Sequence, residues 1–290
     1  MSEAVTPPST ELPNADSPKG SKLLGAFLWL LAFVLMASAA IYQRATGPTY
    51  PKKGAVEVAG QSYDYELIRS QETRHGALVV LPDPGAETEA ILHWRRYPLQ
   101  EPFTMVPLTR DEEDIVEALP ASEREGARAE LAEAREDLGH GLVVAPLPVQ
   151  PAAGKLEYFL EVTANGHSQR IPAVEEGAEA ENIVIRYKDP VPDSILIPHI
   201  FFMFFSLMIV LRTALSALVQ PRTMRRYAWT ALVGMTVGGM VLGPIVQKYA
   251  FGAYWTGFPW GYDLTDNKML IMWVAWIFAC STIGFKPKAK

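Results

Sequence analysis

The stretch that decides the fold is LLGAFLWLLAFVLMASAAIY, residues 23–42, which is 20 residues long and carries no charge. At a rise of about 1.5 Å per residue, a helix of this length spans the hydrocarbon core of a bilayer, which is about 30 Å thick. Ala37-Ser38-Ala39 fits the small-residue pattern of a signal-peptide cleavage site. However, the apolar run is longer than the ~7–15 residues of a signal peptide. The stretch therefore predicts an uncleaved membrane anchor.

Three further apolar stretches lie in the last hundred residues, at 195–218, 227–247 and 269–285. With 49% apolar residues in a chain of 290, they predict a membrane protein with four transmembrane helices. Basic residues cluster before the first stretch, between the second and third, and after the fourth: Lys19, Lys22, Arg222, Arg225, Arg226, Lys286, Lys288 and Lys290. Because positive charge marks the cytoplasmic side, both termini are expected in the cytoplasm of a bacterial inner membrane. Residues 50–190 and 248–268 are then expected on the periplasmic side.

The two segments around the anchor differ in character. Residues 1–22 are rich in Ser, Pro and Glu and have little to bury, so they predict a disordered cytoplasmic tail. Residues 50–190 instead alternate apolar and polar positions in short runs, which is typical of half-buried strands. These runs lie at 55–58, 63–68, 77–81, 90–97, 103–108, 142–145, 156–163, 169–171 and 183–187. Asn165-Gly166 between two of them predicts a hairpin turn, and the whole segment predicts an all-β sandwich.

A helical insertion interrupts the predicted strands at residues 111–138, DEEDIVEALPASEREGARAELAEAREDL. Its residues favour helix, and Pro120 is expected to divide it into two helices. Two interpretations are open. A charged helix is commonly a solvated insertion, whereas a long insertion in a compact domain is often a functional docking arm.

The charge of the chain is unevenly distributed. The net charge is −6, but residues 50–192 hold 26 Asp and Glu against 14 Lys and Arg. An acidic domain repels nucleic acid and favours a basic soluble partner. The single cysteine, Cys280, lies in an apolar stretch and is expected to be a packing residue.

The most unusual stretch is FGAYWTGFPWGYDLTDNK, residues 251–268, which places aromatic residues beside two aspartates at the start of an apolar helix. His199 is expected at the same membrane depth, and ionisable groups at a membrane boundary often mark a site. The candidate ligand-binding residues are His199, Trp255, Trp260, Asp263, Asp266, Asn267 and Lys268. The alternative is structural: an interfacial aromatic belt, Thr265 and Asp266 as the N-cap and first turn of the fourth helix, and a histidine bonded to a loop carbonyl or to Asp263.

Four glycines of the third apolar stretch, Gly234, Gly238, Gly239 and Gly243, form two small-xxx-small pairs. This spacing lets helix backbones approach closely. It predicts packing of the third helix against the second or fourth within one bundle, with a dimer interface as the alternative. Arg212, near the inner end of the second helix, is expected to extend to the lipid headgroups.

Three stretches resemble known proteins. Residues 142–166, LVVAPLPVQPAAGKLEYFLEVTANG, resemble the strands of immunoglobulin-like and fibronectin type III-like sandwiches of bacterial surface proteins, and so imply such a sandwich over 50–190. The tryptophan-rich loop is similar to the haem-handling loop of the cytochrome c maturation membrane proteins. This resemblance covers Trp255, Trp260 and Asp263, and it implies haem binding. Residues 242–268, LGPIVQKYAFGAYWTGFPWGYDLTDNK, look like an uncharacterised type of bacterial four-helix inner-membrane protein, which implies no activity.

No phosphate-binding loop, dinucleotide fingerprint, nucleophile elbow or zinc-spaced cysteines occur in the sequence. The sequence therefore predicts a non-catalytic accessory or assembly subunit of a larger membrane complex, which presents its acidic domain outside the cell membrane. Its expected partners are other membrane-protein subunits, a basic soluble protein and the lipid bilayer, and no nucleic acid or metal ion is expected. The alternative is a haem- or quinone-handling membrane protein that uses the aromatic loop and His199.

Overall fold

A computed structural model describes residues 19–58, 60–138, 141–174, 177, 179–219 and 221–284 of the chain. In these residues the protein forms six helical rods and ten strands. Residues 1–18 of the predicted tail, and the basic cluster Lys286, Lys288 and Lys290, lie outside the described residues.

Four of the rods form the apolar part of the molecule. Three of them are single α-helices, α1 (Lys19–Thr46), α4 (Asp193–Val219) and α7 (Leu264–Ile283), and the other is a continuous rod built from three consecutive segments. The continuous rod consists of α5 (Pro221–Met235), a π-helical segment (Thr236–Leu242) and α6 (Gly243–Phe251). Within the described residues, three helices are long and apolar enough to cross a membrane: Lys22–Thr46, Asp193–Val219 and Thr223–Phe251.

The prediction of four transmembrane helices is therefore wrong by length and composition, since α7 is not among the three. The predicted span at 269–285 omits the first five residues of α7, which include Asp266 and Lys268 and make the helix more polar. The helix nevertheless packs antiparallel along the third span. Trp273 Nε1 donates to Thr236 Oγ1 (2.9 Å), and one turn further Trp276 Nε1 donates to the Ala228 carbonyl (2.8 Å).

The segment between α1 and α4 is rich in β-sheet. Its strands are β1 (Lys52–Val58), β2 (Gln61–Leu67), β3 (Ser70–Glu72), β4 (Leu78–Pro82), β5 (Thr88–Arg96), β6 (Thr104–Pro107), β7 (Leu142–Pro146), β8 (Lys155–Ala164), β9 (His167–Ile171) and β10 (Ile183–Lys188). Six of them form one sheet in the order β3-β10-β8-β5-β6, with β9 also paired to β8. The remaining four form the two-stranded sheets β1-β2 and β4-β7.

All three sheets contribute to one hydrophobic core. Leu67 from β2, Val79 from β4 and Leu160 from β8 are almost fully buried in it. Each of the nine predicted runs overlaps an observed strand, and the Asn165-Gly166 hairpin is confirmed, because both residues have positive φ (51° and 74°) between β8 and β9. The pattern missed β3, which is only three residues long and pairs parallel to β10. An immunoglobulin-like arrangement of these sheets stays a prediction.

The helical insertion divides at Pro120 as predicted, into α2 (Glu112–Ala118) and α3 (Ala121–Leu138). It is not merely a solvated insertion. Val116, Ala127 and Leu131 are buried against the outward side chains of β4, Leu78 and Val80. Because β4 is thus covered on both faces, its side chains read as a continuous apolar run rather than an alternating one.

The β-sheet segment also contacts the helical bundle. The backbone N–H of Asp189, just after β10, donates to the carbonyl of Ala250 in α6 (2.9 Å). The guanidinium of Arg186 lies over the ring of Phe251, 3.8 Å from its centroid. These contacts place β10 directly above the end of the third span.

Candidate functional site

A cleft of about 470 Å³ lies at the end of the helical bundle nearest the β-sheet segment. Side chains from α1, α4, the third span, the aromatic loop, α7 and β10 line it. Five of the seven predicted ligand-binding residues line this cleft: His199, Trp255, Asp263, Asp266 and Lys268. The structure thus brings His199 of α4 and the start of α7 together in one cleft, and their common depth in the membrane stays a prediction.

His199 is held by the backbone of the third span. Its Nδ1 lies 2.9 Å from the carbonyl oxygen of Gly238. A carbonyl can only accept, so this contact places the proton on Nδ1 and leaves Nε2 as an acceptor. The structural alternative drawn from the sequence was a bond to a loop carbonyl or to Asp263. The partner is instead a helix carbonyl, and the ring has a fixed tautomer in a cleft.

The π-helical segment explains how the helix carbonyl and the ring can meet. The Gly243 N–H also donates to Gly238 O, as the first residue after the π-helical turn. Wider π turns are rare and often occur at functional sites. A Cβ atom at Gly238 would lie 2.9 Å from Phe202 Cβ and 3.1 Å from the Phe202 carbonyl carbon. The backbone of α4 therefore lies so close to the third span that a side chain at position 238 would not fit without a shift.

The other glycines of this stretch also face neighbours in the same bundle. A Cβ at Gly234 would overlap the Ser206 side chain of α4, and one at Gly239 would overlap Met269 of α7. Gly243 leaves room beside the His199 ring, with Cε1 3.7 Å from a built Cβ. Gly234 and Gly238 therefore allow close packing against α4, Gly239 allows it against α7, and Gly243 leaves space for the His199 ring, all within one chain.

Asp266 holds the aromatic loop against α6 and α7 through hydrogen bonds. Its Oδ2 accepts hydrogen bonds from the Thr256 N–H (2.7 Å), the Thr256 hydroxyl (3.2 Å) and Gln247 Nε2 (3.0 Å). One carboxylate oxygen thus joins α6, the loop and α7. Asp266 helps to build the cleft, and this oxygen is already saturated with donors.

Asp263 and Asn267 are likewise engaged in structure. Asp263 is the N-cap of α7, since its Oδ1 accepts from the N–H groups of Thr265 (2.8 Å) and Asp266 (3.1 Å). The N-cap is therefore Asp263 and neither Thr265 nor Asp266, while both of these residues lie in the first turn of α7 as predicted. Asn267 Oδ1 accepts from the Phe258 N–H (2.7 Å) and does not line the cleft.

The two tryptophans of the loop separate. Trp255 lines the cleft, and its Nε1 donates to the Phe258 carbonyl (3.1 Å). Trp260 is 81% exposed and lies away from the cleft. Only Trp255 of the pair is positioned to contact a molecule in the cleft.

Two important residues of the cleft were missed by sequence reasoning. Gln247 in α6 has a buried Oε1 that accepts no hydrogen bond among the described residues, although its Nε2 is bonded to Thr256 and Asp266. Arg186 of β10 has a buried Nε, and this atom too has no hydrogen-bond partner among the residues that the structure describes. A lone glutamine inside an apolar helix is a usable signal, but only the tertiary structure brings Arg186 to the bundle.

Arg212 also departs from expectation. It does not extend to the headgroups, because it is only 1% exposed. Its guanidinium lies 4.9 Å from the ring centroid of Tyr227 and 5.5 Å from that of Trp29. The hydroxyl of Ser216 accepts a hydrogen bond from Arg212 Nη1. Arg212 therefore joins α1, α4 and α5 inside the bundle, at a place separate from the cleft.

The fold and the cleft define a membrane-associated protein with three candidate spans and a β-sheet-rich segment. No protein-family model and no curated protein matches the chain. Among the described residues, no group of three or more His, Cys, Asp or Glu side chains is arranged to hold a metal ion.

Proposed function

We propose that this protein binds an amphipathic ligand of the quinone or quinol class in the cleft beside His199. The observation that carries the proposal is a pair of acceptors on two residues that line the cleft, Gln247 Oε1 and His199 Nε2. A buried acceptor left without a donor costs roughly 1–3 kcal/mol. A ligand with hydroxyl groups removes that cost, because each hydroxyl donates one hydrogen bond.

The remaining polar groups fit the oxidised form of the same ligand. Arg186 and Lys268 also line the cleft, and both carry only donors. The carbonyl oxygens of a quinone accept hydrogen bonds from such groups. A cleft whose lining residues offer both acceptors and donors suits a headgroup that changes between hydroxyl and carbonyl.

The apolar lining suits a ring and a hydrocarbon tail. Three methionines, Met203, Met269 and Met272, come from α4 and α7, and thioethers adapt well to flat apolar groups. Met272 is half exposed on the surface of α7, which supports an opening of the cleft toward lipid. The volume of about 470 Å³ lies within the usual range of roughly 300–1,000 Å³ for small-molecule sites.

Haem is the competing ligand, because His199 Nε2 is also free to bind iron. A ligating histidine commonly donates its other N–H to a carbonyl, as His199 does to Gly238. The acceptor on Gln247 is what favours the quinol class, since a haem ring offers it no hydroxyl.

The test is to purify the protein from native membranes in mild detergent, extract the lipids, and measure quinone per polypeptide. We expect a near-stoichiometric quinone that is lost in His199→Ala and Gln247→Leu. His167→Ala is the matched control, because His167 is an exposed histidine of β9 and does not line the cleft. It should retain the quinone.

Two results would reject the quinone proposal. A Soret absorbance band that His199→Ala abolishes would identify haem instead. Protein that contains neither quinone nor haem, and that does not bind added quinone in a titration of the Trp255 emission, would show that the cleft does not hold a ligand of either kind.

We further propose that the cleft faces the periplasmic side of a bacterial inner membrane. Lys19 precedes the first span and Lys22 begins it, and Arg225 and Arg226 lie at the start of the third, so the positive-inside rule puts these ends in the cytoplasm. The β-sheet segment and the cleft are then outside. This assignment needs only the three candidate spans.

An accessory subunit of a larger membrane complex is a second candidate function. It is favoured by a groove of about 540 Å³ between α3 and the strands β2–β4. Five carboxylates line it, from Glu66, Glu72, Glu130, Glu133 and Asp137, beside apolar residues such as Ile68 and Leu138. This combination suits a basic segment of a soluble partner. Mass spectrometry of the purified protein should find stoichiometric subunits, and a protein that purifies alone would count against this role.

A further inference from the structure

The aromatic loop leaves a set of large apolar side chains uncovered. Their exposed fractions are 60% for Tyr254, 65% for Phe258, 81% for Trp260, 92% for Tyr262 and 71% for Leu264. We call these five residues the aromatic surface. None of these five residues lines the cleft, so the cleft does not account for their exposure.

The loop is tied back onto the helices and does not project away from them. The Phe258 N–H donates to Asn267 Oδ1, and the Thr256 N–H donates to Asp266 Oδ2, each at 2.7 Å. Thr256 also accepts from Gln247 (2.6 Å), one turn before the end of α6. The centre of the loop therefore lies at the level of the first turn of α7 and the last turn of α6.

The backbone of the loop satisfies many of its own polar groups. The N–H groups of Trp260 and Gly261 donate to the carbonyl of Gly257, and that of Asp263 donates to the carbonyl of Thr256. This compact path depends on glycine. A Cβ at Gly257 would lie 2.7 Å from Asp266 Cβ, and one at Gly261 would overlap the Thr256 carbonyl. Internal pairing is what a non-helical segment needs where water is scarce.

The chemistry of the surface identifies what covers it. Residues 249–262 contain no charged side chain, and Lys248 at their edge lies 5.6 Å from the Tyr254 ring centroid. Protein interfaces usually have a polar rim with hydrogen-bonding groups. Tyrosine and tryptophan without charges, next to a membrane span, are instead typical of the lipid headgroup region.

We propose that the aromatic surface is embedded in the headgroup and upper acyl region of the outer leaflet, where it fixes the height of the bundle in the bilayer. The surface is continuous with the candidate span Thr223–Phe251, so the same lipid that surrounds the span reaches the loop. An insertion depth of roughly 5–10 Å is usual for such apolar faces. This inference does not depend on what the cleft binds.

The experiment uses the full chain in lipid vesicles, with an environment-sensitive fluorophore attached to Trp260→Cys. The chain has one other cysteine, Cys280, which is fully buried and can be replaced by alanine. Phospholipids brominated near the top of their acyl chains should remove most of the emission. Phospholipids brominated near the chain ends should remove less, and iodide in the water should have little effect.

Two further positions make the result decisive. Tyr262→Cys, at the most exposed residue of the surface, should behave like Trp260→Cys and shows that the result does not depend on one substitution. Met105→Cys is the matched control, because Met105 is a 65% exposed apolar residue of β6. Its label should be quenched by iodide and not by either lipid.

Two outcomes would overturn the proposal. Labels at 260 and 262 that iodide quenches and brominated lipids do not would place the loop in water. Labels protected from all three quenchers would show that protein covers the surface, from a second copy or another subunit.

Discussion

At the scale of single residues, Asp266 is the residue on which the shape of the site depends most. Its Oδ2 accepts three hydrogen bonds that join α6, the loop and α7. Replacement by alanine leaves the Thr256 N–H without its acceptor and removes one of the two acceptors of Gln247 Nε2. The aspartate itself was recognisable from sequence as part of a candidate site. Its role was not, because the donors lie 10 and 19 positions away along the chain.

We therefore expect Asp266→Ala to lower the free energy of unfolding by about 1–3 kcal/mol, the usual cost of unpaired buried donors. Thermal unfolding in detergent measures this change. Asp193→Ala is the control, since Asp193 is an exposed first-turn aspartate of α4. If both variants unfold alike, Asp266 does not fasten the loop.

Glu130 is the residue that makes the helical insertion sensitive to pH. Burial raises its pKa from 4.5 to about 7, against the opposing effect of His75, whose Nδ1 lies 3.9 Å from Glu130 Oε2. Glu133 on the same helix adds to the increase. A carboxyl whose folded pKa is raised stabilises the docked helix below pH 4.5, and that stabilisation is lost as the pH rises through about 7.

The expected size of this loss is roughly 3 kcal/mol between the two pH limits. Hydrogen exchange of the α3 amides, corrected for intrinsic rates, should report faster opening at the higher pH. Glu130→Gln should remove most of the pH dependence. Glu136→Gln, an exposed change on the same helix, should retain it, and an equal loss in both variants would show that another group titrates.

At the scale of secondary-structure elements, the π-helical segment decides how the third span meets its neighbours. Gly238 lies inside it and is packed against backbone atoms of α4, which have no room to move away. Glycine spacing was readable from the sequence. The widened turn at Thr236–Leu242 was not.

We expect Gly238→Ala to destabilise the bundle by about 1–3 kcal/mol, as overpacking commonly does. Gly25→Ala in α1 is the matched control, because a Cβ there has no atom within 4 Å. The control should be neutral or slightly stabilising, since alanine favours helix over glycine by about 1 kcal/mol. Thermal unfolding in detergent distinguishes the two. Equal melting temperatures would mean that the close contact at Gly238 is not required.

The strands were the elements that sequence predicted best. A period of two and turn residues at the ends are local signals, and they marked nine runs that overlap observed strands. Local signals did not reveal that α2 and α3 cover the outer face of β4 and β7. Most residues of α3 are polar, so its sequence predicts a solvated helix. In the structure, Ala127 and Leu131 are nevertheless buried against the sheet.

At the scale of the whole molecule, the orientation in the membrane is the main prediction. The three candidate spans put the ends at Lys22 and Thr223 on one side and the β-sheet segment on the other. In sealed inside-out vesicles, protease should remove an N-terminal tag and spare residues 50–190. Right-side-out vesicles are the control and should give the reverse. Digestion of the β-sheet segment in inside-out vesicles would contradict the proposed orientation.

The sequence by itself determined the membrane class and the β-sheet content of the middle segment, and it marked the aromatic loop before α7 as a candidate site. Those properties follow from hydropathy, alternation and composition, which are local. Only the tertiary structure decided that Arg212 is buried, and that Gln247 and Arg186 share a cleft with His199. The physical reason is that packing joins residues far apart in the chain, and a buried polar atom reveals its need for a partner only when its surroundings are known.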